Sequence, residues 1–109
     1  MIVDGIFNMI TEDYVSFETA KLLKEKGFDE KVISFYPPGD IQRPTLQMAM
    51  KWIRVKGYQI IVKHTDDNGY FANILTMDNA HPVNKLFDGY NSYEQACEAA
   101  IKYCLENLI

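Results

Sequence analysis

The sequence is poor in the residues from which metal centres, disulfides and redox sites are built. It has two cysteines and two histidines in 109 residues, with no Cys-x-x-Cys motif and no close histidine pair. Cys97 and Cys104 fall in one predicted helix, on one face but about 10 Å apart, which is too far for a disulfide between them. We interpret both as small buried hydrophobic residues. No catalytic residue, metal ligand or cofactor is predicted from this set.

Long apolar runs are also missing. No stretch approaches the roughly 18 apolar residues that a membrane span requires. The N-terminal ten residues lack the basic region of a secretory signal and are interrupted by Asp4 and Asn8. We therefore expect a cytoplasmic protein with no membrane partner. The length predicts a single domain over residues 1–109, with residues 1–10 as a loosely attached N-terminal arm.

Acidic residues are absent from one internal stretch. Between Ile41 and His64 every charged residue is a lysine or an arginine, although the chain as a whole has a net charge of −4. Such segregation marks either a phosphate-binding surface or an element whose charges face acidic neighbours in its own fold. In the first case the chain would be a nucleic-acid-binding module, with Tyr70 beside Lys63 for base stacking. The candidate residues are Arg43, Lys51, Arg54 and Lys63.

The first predicted helix runs from about Ser16 to Lys26, with a start at Thr11 as the alternative. Ser16 is a suitable N-cap, and Gly27 is placed to adopt the left-handed conformation after the helix. In that arrangement Phe28 would contact Leu23 and close the helix end. The predicted buried stripe is Phe17, Ala20 and Leu23.

The second predicted helix, about Leu46 to Lys56 after the N-cap Thr45, is the most informative element for packing. Its apolar residues cover roughly 220° of the circumference, whereas a surface helix needs little more than 100°. One stripe is Leu46, Ala49, Met50 and Ile53, and the adjoining stripe is Met48, Trp52 and Val55. The second stripe is either covered by the rest of the chain or forms a protein-interaction surface. Both alternatives stay open.

The remaining elements predict an antiparallel sheet. Val32–Tyr36 is interpreted as a short strand, Tyr58–Met77 as a β-hairpin and Lys85–Asp88 as a further short strand. If Asn68 and Gly69 form the hairpin loop, Lys63 faces Ile74 and His64 faces Asn73. The face predicted to lie on the helices then bears Tyr58, Ile60, Val62, Phe71, Leu75 and Met77, and the outer face bears Ile61, Lys63, Tyr70, Ile74 and Thr76.

A final helix from about Tyr93 to Leu108 follows the capping box of Ser92 and Gln95. The predicted fold class is therefore α+β: a small antiparallel sheet built around the 58–77 hairpin and packed against about three helices.

Three segments together resemble a set of short uncharacterised proteins from phage and mobile elements of gut bacteria. They are "SFETAKLLKEKGFDE", "PTLQMAMKWIRVKGYQIIV" and "SYEQACEAAIKYCLENLI". Members of that set carry a longer stretch before the Pro-Thr-Leu block. Because Lys31–Arg43 is short here, a hairpin expected in this region should be reduced or missing. The resemblance covers residues 16–109 and implies the order of elements and a phage-associated origin, but no functional residue.

These patterns favour a non-enzymatic accessory protein that binds another protein or a second copy of itself as a homodimer. The expected interaction residues are Met48, Trp52 and Val55. A nucleic-acid-binding module is the first alternative. A small enzyme that uses His64 as a general base is the second, since His64 is the one ionisable side chain placed on the inner sheet face.

Overall fold

The computed structural model describes residues 12–67, 69–76 and 84–109. Within these residues the chain alternates helices with two small antiparallel sheets, so the predicted α+β fold with about three helices is confirmed. The predicted N-terminal arm lies outside the described residues. In chain order the elements are α1 (Phe17–Glu25), β1 (Phe35–Tyr36), β2 (Ile41–Gln42), α2 (Leu46–Val55), β3 (Tyr58–Thr65), β4 (Gly69–Thr76), β5 (Asn84–Tyr90) and α3 (Tyr93–Asn107).

The three helices begin where the local sequence predicts. The side chains of Ser16, Thr45 and Ser92 each accept a hydrogen bond from the backbone N–H three residues later, at 3.1 Å. This is the N-cap interaction, which satisfies a backbone donor that has no partner inside the helix. The N-caps predicted from the sequence are therefore confirmed.

The C-terminus of α1 also follows the prediction. Gly27 has φ +96°, and the N–H of Phe28 donates to the carbonyl of Leu23 at 2.9 Å. The N–H of Gly27 also donates to the carbonyl of Lys24, at 3.1 Å. The two bonds form a Schellman motif, in which the residue after the glycine packs back onto the helix. Phe28 is consequently buried.

The predicted burial of Phe17 is wrong, because 47% of this residue is exposed. The buried residues of α1 are Thr19, Ala20 and Leu23. The helix is rotated so that the Thr19 hydroxyl faces the interior, where it donates a hydrogen bond to the carboxylate of Glu98 on α3. Phe17 instead packs its ring edge-on against Tyr36, with 5.3 Å between the ring centroids.

The short sheet of β1 and β2 belongs to the stretch of chain that connects α1 to α2, and β2 packs against α1. Phe35 pairs with Gln42 and Tyr36 with Ile41, on either side of the turn that contains Pro37 and Pro38. The predicted strand Val32–Tyr36 thus ends where expected but is only two residues long. β1 and β2 form a short antiparallel pair in this segment.

The predicted register of the β3–β4 hairpin is wrong. Lys63 pairs with Phe71 and His64 with Tyr70, because β3 ends at Thr65 and Gly69 already belongs to β4. The shift is odd, so it moves every β4 side chain to the opposite sheet face. The inner face of β4 therefore carries Tyr70, Ala72, Ile74 and Thr76 instead of Phe71 and Leu75; Met77 lies outside the described residues. The inner face predicted for β3, with Tyr58, Ile60 and Val62, packs against the core as expected.

Helix α3 is the centre of the core. It contacts all three strands of the larger sheet and both other helices. Six of its residues are fully buried: Ala96, Cys97, Ala100, Ile101, Cys104 and Leu105. Strand β5 pairs with β4 and is longer than the predicted strand at Lys85–Asp88. None of the helices within the described residues is long and apolar enough to cross a bilayer.

Candidate interaction groove

The two apolar stripes of α2 have different surroundings. Leu46, Ala49, Met50 and Ile53 are all buried in the core, as predicted. Of the second stripe, Met48 and Trp52 are partly buried and Val55 is 79% exposed. The second stripe therefore borders the core on one side and solvent on the other.

Met48, Trp52 and Val55 line one groove on the surface. The structure thus brings together the three residues that the sequence analysis selected for protein interaction. The groove has a volume of about 520 Å³ and is shared between α2 and the segment that follows α1. Its lining is completed by Phe28, Glu30, Lys31, Lys51 and Lys56. We call this feature the Trp52 groove.

The indole of Trp52 is held between the core and the solvent. Its ring meets the ring of Phe28 edge-on, with 5.6 Å between the centroids. The Lys56 ammonium lies 4.8 Å from the centroid of the indole ring, within cation–π range. Because Phe28 is fixed by the Schellman motif, the indole packs against an immobilised wall. The Trp52 side chain is therefore neither a core residue nor an isolated surface residue.

The rim of the groove is charged and mostly basic. Lys31, Lys51 and Lys56 contribute three ammonium groups and Glu30 contributes one carboxylate. Among the described residues neither Lys31 nor Lys51 forms an ion pair, since the salt bridges join Lys24 to Asp40 and Lys102 to Glu18. An apolar floor with an unpaired charged rim is the arrangement found in protein interfaces, where a polar border surrounds an apolar centre.

The structure separates the four residues proposed for nucleic-acid binding. Arg43 is half-buried: its Nε donates to Ser34 Oγ at 2.7 Å, and its guanidinium lies 4.2 Å from the centroid of the Tyr14 ring. Lys51 and Arg54 are exposed on α2. Lys63 lies on the outer sheet face, whereas α2 packs against the inner face. Tyr70 is on the inner face, so its predicted position beside Lys63 is wrong.

His64 does not have the environment expected of a general base. It is exposed near the hairpin loop and faces Tyr70 instead of Asn73, with the two ring centroids 4.8 Å apart. A general base must lie within hydrogen-bond reach of the proton that it removes, in a concave site that holds the substrate. His64 lies outside the Trp52 groove.

The cysteines have the environment predicted for hydrophobic residues. Cys97 and Cys104 are free thiols without solvent exposure. Burial raises the pKa of Cys97 to about 11 and that of Cys104 to about 12. Both side chains are therefore neutral thiols at pH 7, which makes them poor nucleophiles. Within the described ranges no three His, Cys, Asp or Glu side chains cluster as metal ligands would.

Sequence reasoning missed one wall of the Trp52 groove. It predicted that Phe28 packs on Leu23 but not that the same ring contacts Trp52, which is 24 positions further along the chain. The sequence of the connection between α1 and α2, residues 26–45, does not indicate which helix it covers. The basic residues Lys31 and Lys56 were likewise not singled out, because their place on the rim depends on this long-range contact.

A second groove, of about 610 Å³, is lined mainly by α3 and contains none of the candidate site residues selected from the sequence. Its charged lining is mainly acidic, with Asp13, Glu94 and Glu98 against Lys102. Glu98 is already engaged there, since it accepts hydrogen bonds from the N–H and the hydroxyl of Ser16 at 3.0 and 2.9 Å.

Comparison with known protein families, with characterised proteins and with solved structures finds no match. The function must therefore be argued from the geometry of the chain itself. The Trp52 groove is the feature that combines an apolar floor, an aromatic anchor and unpaired charges.

Proposed function

We propose that this chain is a non-enzymatic accessory protein of phage or mobile-element origin that binds protein partners in the cytoplasm through the Trp52 groove. One observation carries the proposal: Met48, Trp52 and Val55 share a groove whose apolar floor is open to solvent. An apolar groove that stays open in the free chain and is bordered by polar residues is a typical contact surface for a partner. Trp and Met are both enriched in such interfaces.

The aromatic anchor supports the same conclusion. Residues that dominate binding energy are most often Trp, Tyr or Arg in a well-packed setting. Trp52 meets that description, because Phe28 fixes one edge of the indole before any partner arrives. Little side-chain entropy is then lost on binding, which favours affinity.

The chain offers a direct spectroscopic test, since Trp52 is its single tryptophan. We would capture binding proteins from lysate of the source cells on immobilised chain, purify each one and titrate it against the chain while recording Trp52 emission. Titration to higher concentration of the chain alone tests self-association in the same way. We expect at least one of these titrations to shift or quench the emission.

The matched variants are Val55→Glu in the groove and Leu86→Glu on the outer sheet face. Both sites are exposed, so neither substitution removes core contacts. Val55→Glu should abolish the change in emission and Leu86→Glu should leave it intact. The proposal is wrong if no purified protein and no self-association changes the emission. It is also wrong if RNA or single-stranded DNA produces the Val55-sensitive change, because the groove would then serve nucleic acid.

A further inference from the structure

A row of exposed apolar side chains runs beside the Trp52 groove. From Lys31 to Tyr36 exposed and partly buried residues alternate, with Lys31, Ile33 and Phe35 on the exposed side. Ile33 is 96% exposed and Phe35 is 47% exposed. With so little contact to its own chain, the Ile33 side chain is available to a partner. We call Ile33 and Phe35 the apolar ridge.

The ridge is held in place by hydrogen bonds to the strand on its other side. The N–H of Arg43 donates to the carbonyl of Ser34 at 2.9 Å. The side chain of Gln42 donates to the carbonyl of Glu30 at 2.6 Å. Ile33 lies between these two anchored positions, so it projects from a supported segment of backbone.

The Ile33 end of the ridge and the Trp52 groove lie on one surface, whereas Phe35 lines a separate groove with Ala20 and Lys24 of α1. Lys31 lines the groove, and two residues of extended chain span at most about 7 Å, so Ile33 lies next to the groove edge. The same segment carries the acidic pair Asp29 and Glu30, which form no ion pair with any described residue. This surface thus combines a protruding apolar side chain, an apolar groove, unpaired acids and unpaired lysines.

A surface with these four properties is complementary to a rotated copy of itself. In a two-fold interface each contact occurs twice, so the protrusion and the groove that receives it must lie on the same face. From this complementarity we propose that a second copy of the chain covers the Trp52 groove. In the dimer Ile33 of each copy inserts into the groove of the other, and Glu30 of each faces Lys51 of the other. This proposal rests on the function proposed above and names the partner.

Sedimentation velocity from micromolar to submillimolar concentration tests the dimer. The wild-type chain should pass from monomer to dimer over this range, with a parallel change in Trp52 emission. Ile33→Asp places a charge at an apolar centre and should weaken the dimer about 30-fold or more. Leu86→Asp on the outer sheet face is the control and should dimerise like the wild type. Circular dichroism of each variant checks that the fold is retained.

A charge exchange tests the two-fold arrangement. Glu30→Lys and Lys51→Glu should each weaken the dimer, because each places like charges opposite one another. The double variant restores opposite charges and should recover most of the affinity. A double variant no better than the single ones would overturn the arrangement.

A strictly monomeric wild type, or a dimer dissociated by Leu86→Asp but not by Ile33→Asp, would also overturn the proposal. If the chain is monomeric but another purified protein changes Trp52 emission in a Val55-sensitive way, the proposed function stands and the self-association is wrong.

Discussion

Among the acidic residues that the structure describes, Glu98 is expected to cause the largest loss of stability when it is removed. Its carboxylate sits at the N-terminus of α1 and accepts hydrogen bonds from Ser16 and from the hydroxyl of Thr19, which has no solvent exposure. A hydrogen bond to a charged group contributes about 1.5 to 3 kcal/mol, and a carboxylate near a helix N-terminus adds about 0.5 kcal/mol. The N–H and the hydroxyl of Ser16 are exposed, so water can replace the carboxylate as their hydrogen-bond acceptor.

We therefore expect Glu98→Ala to lower the free energy of unfolding by about 2 to 3 kcal/mol, mainly through the bond to buried Thr19. At about 4 °C per kcal/mol for a domain of this size, the melting temperature should fall by roughly 10 °C. Urea denaturation followed by far-UV circular dichroism and Trp52 emission measures the change. Glu98→Gln retains hydrogen-bonding atoms without the charge and should fall between the wild type and Glu98→Ala.

Glu106→Ala is the matched control, because Glu106 is exposed near the other end of the same helix. Its removal should change the free energy of unfolding by less than about 0.5 kcal/mol. The reasoning is refuted if Glu98→Ala is no more destabilising than this control. The link between α1 and α3 would then depend on apolar packing alone.

Two further predictions concern the sheet and the core. Gly69→Ala should lower the free energy of unfolding by at least about 1 kcal/mol more than Gly39→Ala does. Both glycines have positive φ, but of the two only Gly69 would place the added Cβ 2.5 Å from the Tyr90 carbonyl oxygen. Urea midpoints compare the two variants, and equal losses would contradict the clash. The second prediction concerns pH. Because the pKa values of Cys97 and Cys104 are raised, the native state keeps protons that the unfolded chain releases. The contribution of the two thiols to stability is therefore fully present below about pH 9 and is lost as the pH rises toward 11 to 12. The free energy of unfolding, measured by urea denaturation at several pH values, should fall by about 1.4 kcal/mol per pH unit for each thiol. An equally steep decline in the Cys97→Ala/Cys104→Ala variant would argue against this cause.

Local interactions explain which parts of the fold were predictable. Ser16, Thr45 and Ser92 act within three residues of their own positions, so the sequence is sufficient to assign them. The Gly27–Phe28 helix end is local in the same sense. The buried stripe of α2 follows from helical periodicity, because a helix places every third or fourth side chain on one face.

The hairpin register shows where such reasoning fails. An Asn-Gly pair favours a turn but does not decide how many residues the loop contains. In the fold, Gly69 enters the strand with φ +74° and lies against the carbonyl of Tyr90, a contact supplied by β5. The Asn-Gly pair does not encode this contact with β5, and a register shift by an odd number of residues reverses the face of every residue in β4.

The sequence by itself determined the fold class, the helix ends, the apolar excess of α2 and the three residues in that excess. Only the tertiary structure decided which residues surround the additional apolar side chains of α2. Phe28 covers one edge of Trp52 and leaves Val55 open, while Lys31 and Lys56 become a rim. The physical reason is that an apolar side chain favours burial against any apolar surface, so its identity does not specify which residue covers it. The partner depends on loop geometry between residues far apart in the chain, which no periodicity encodes.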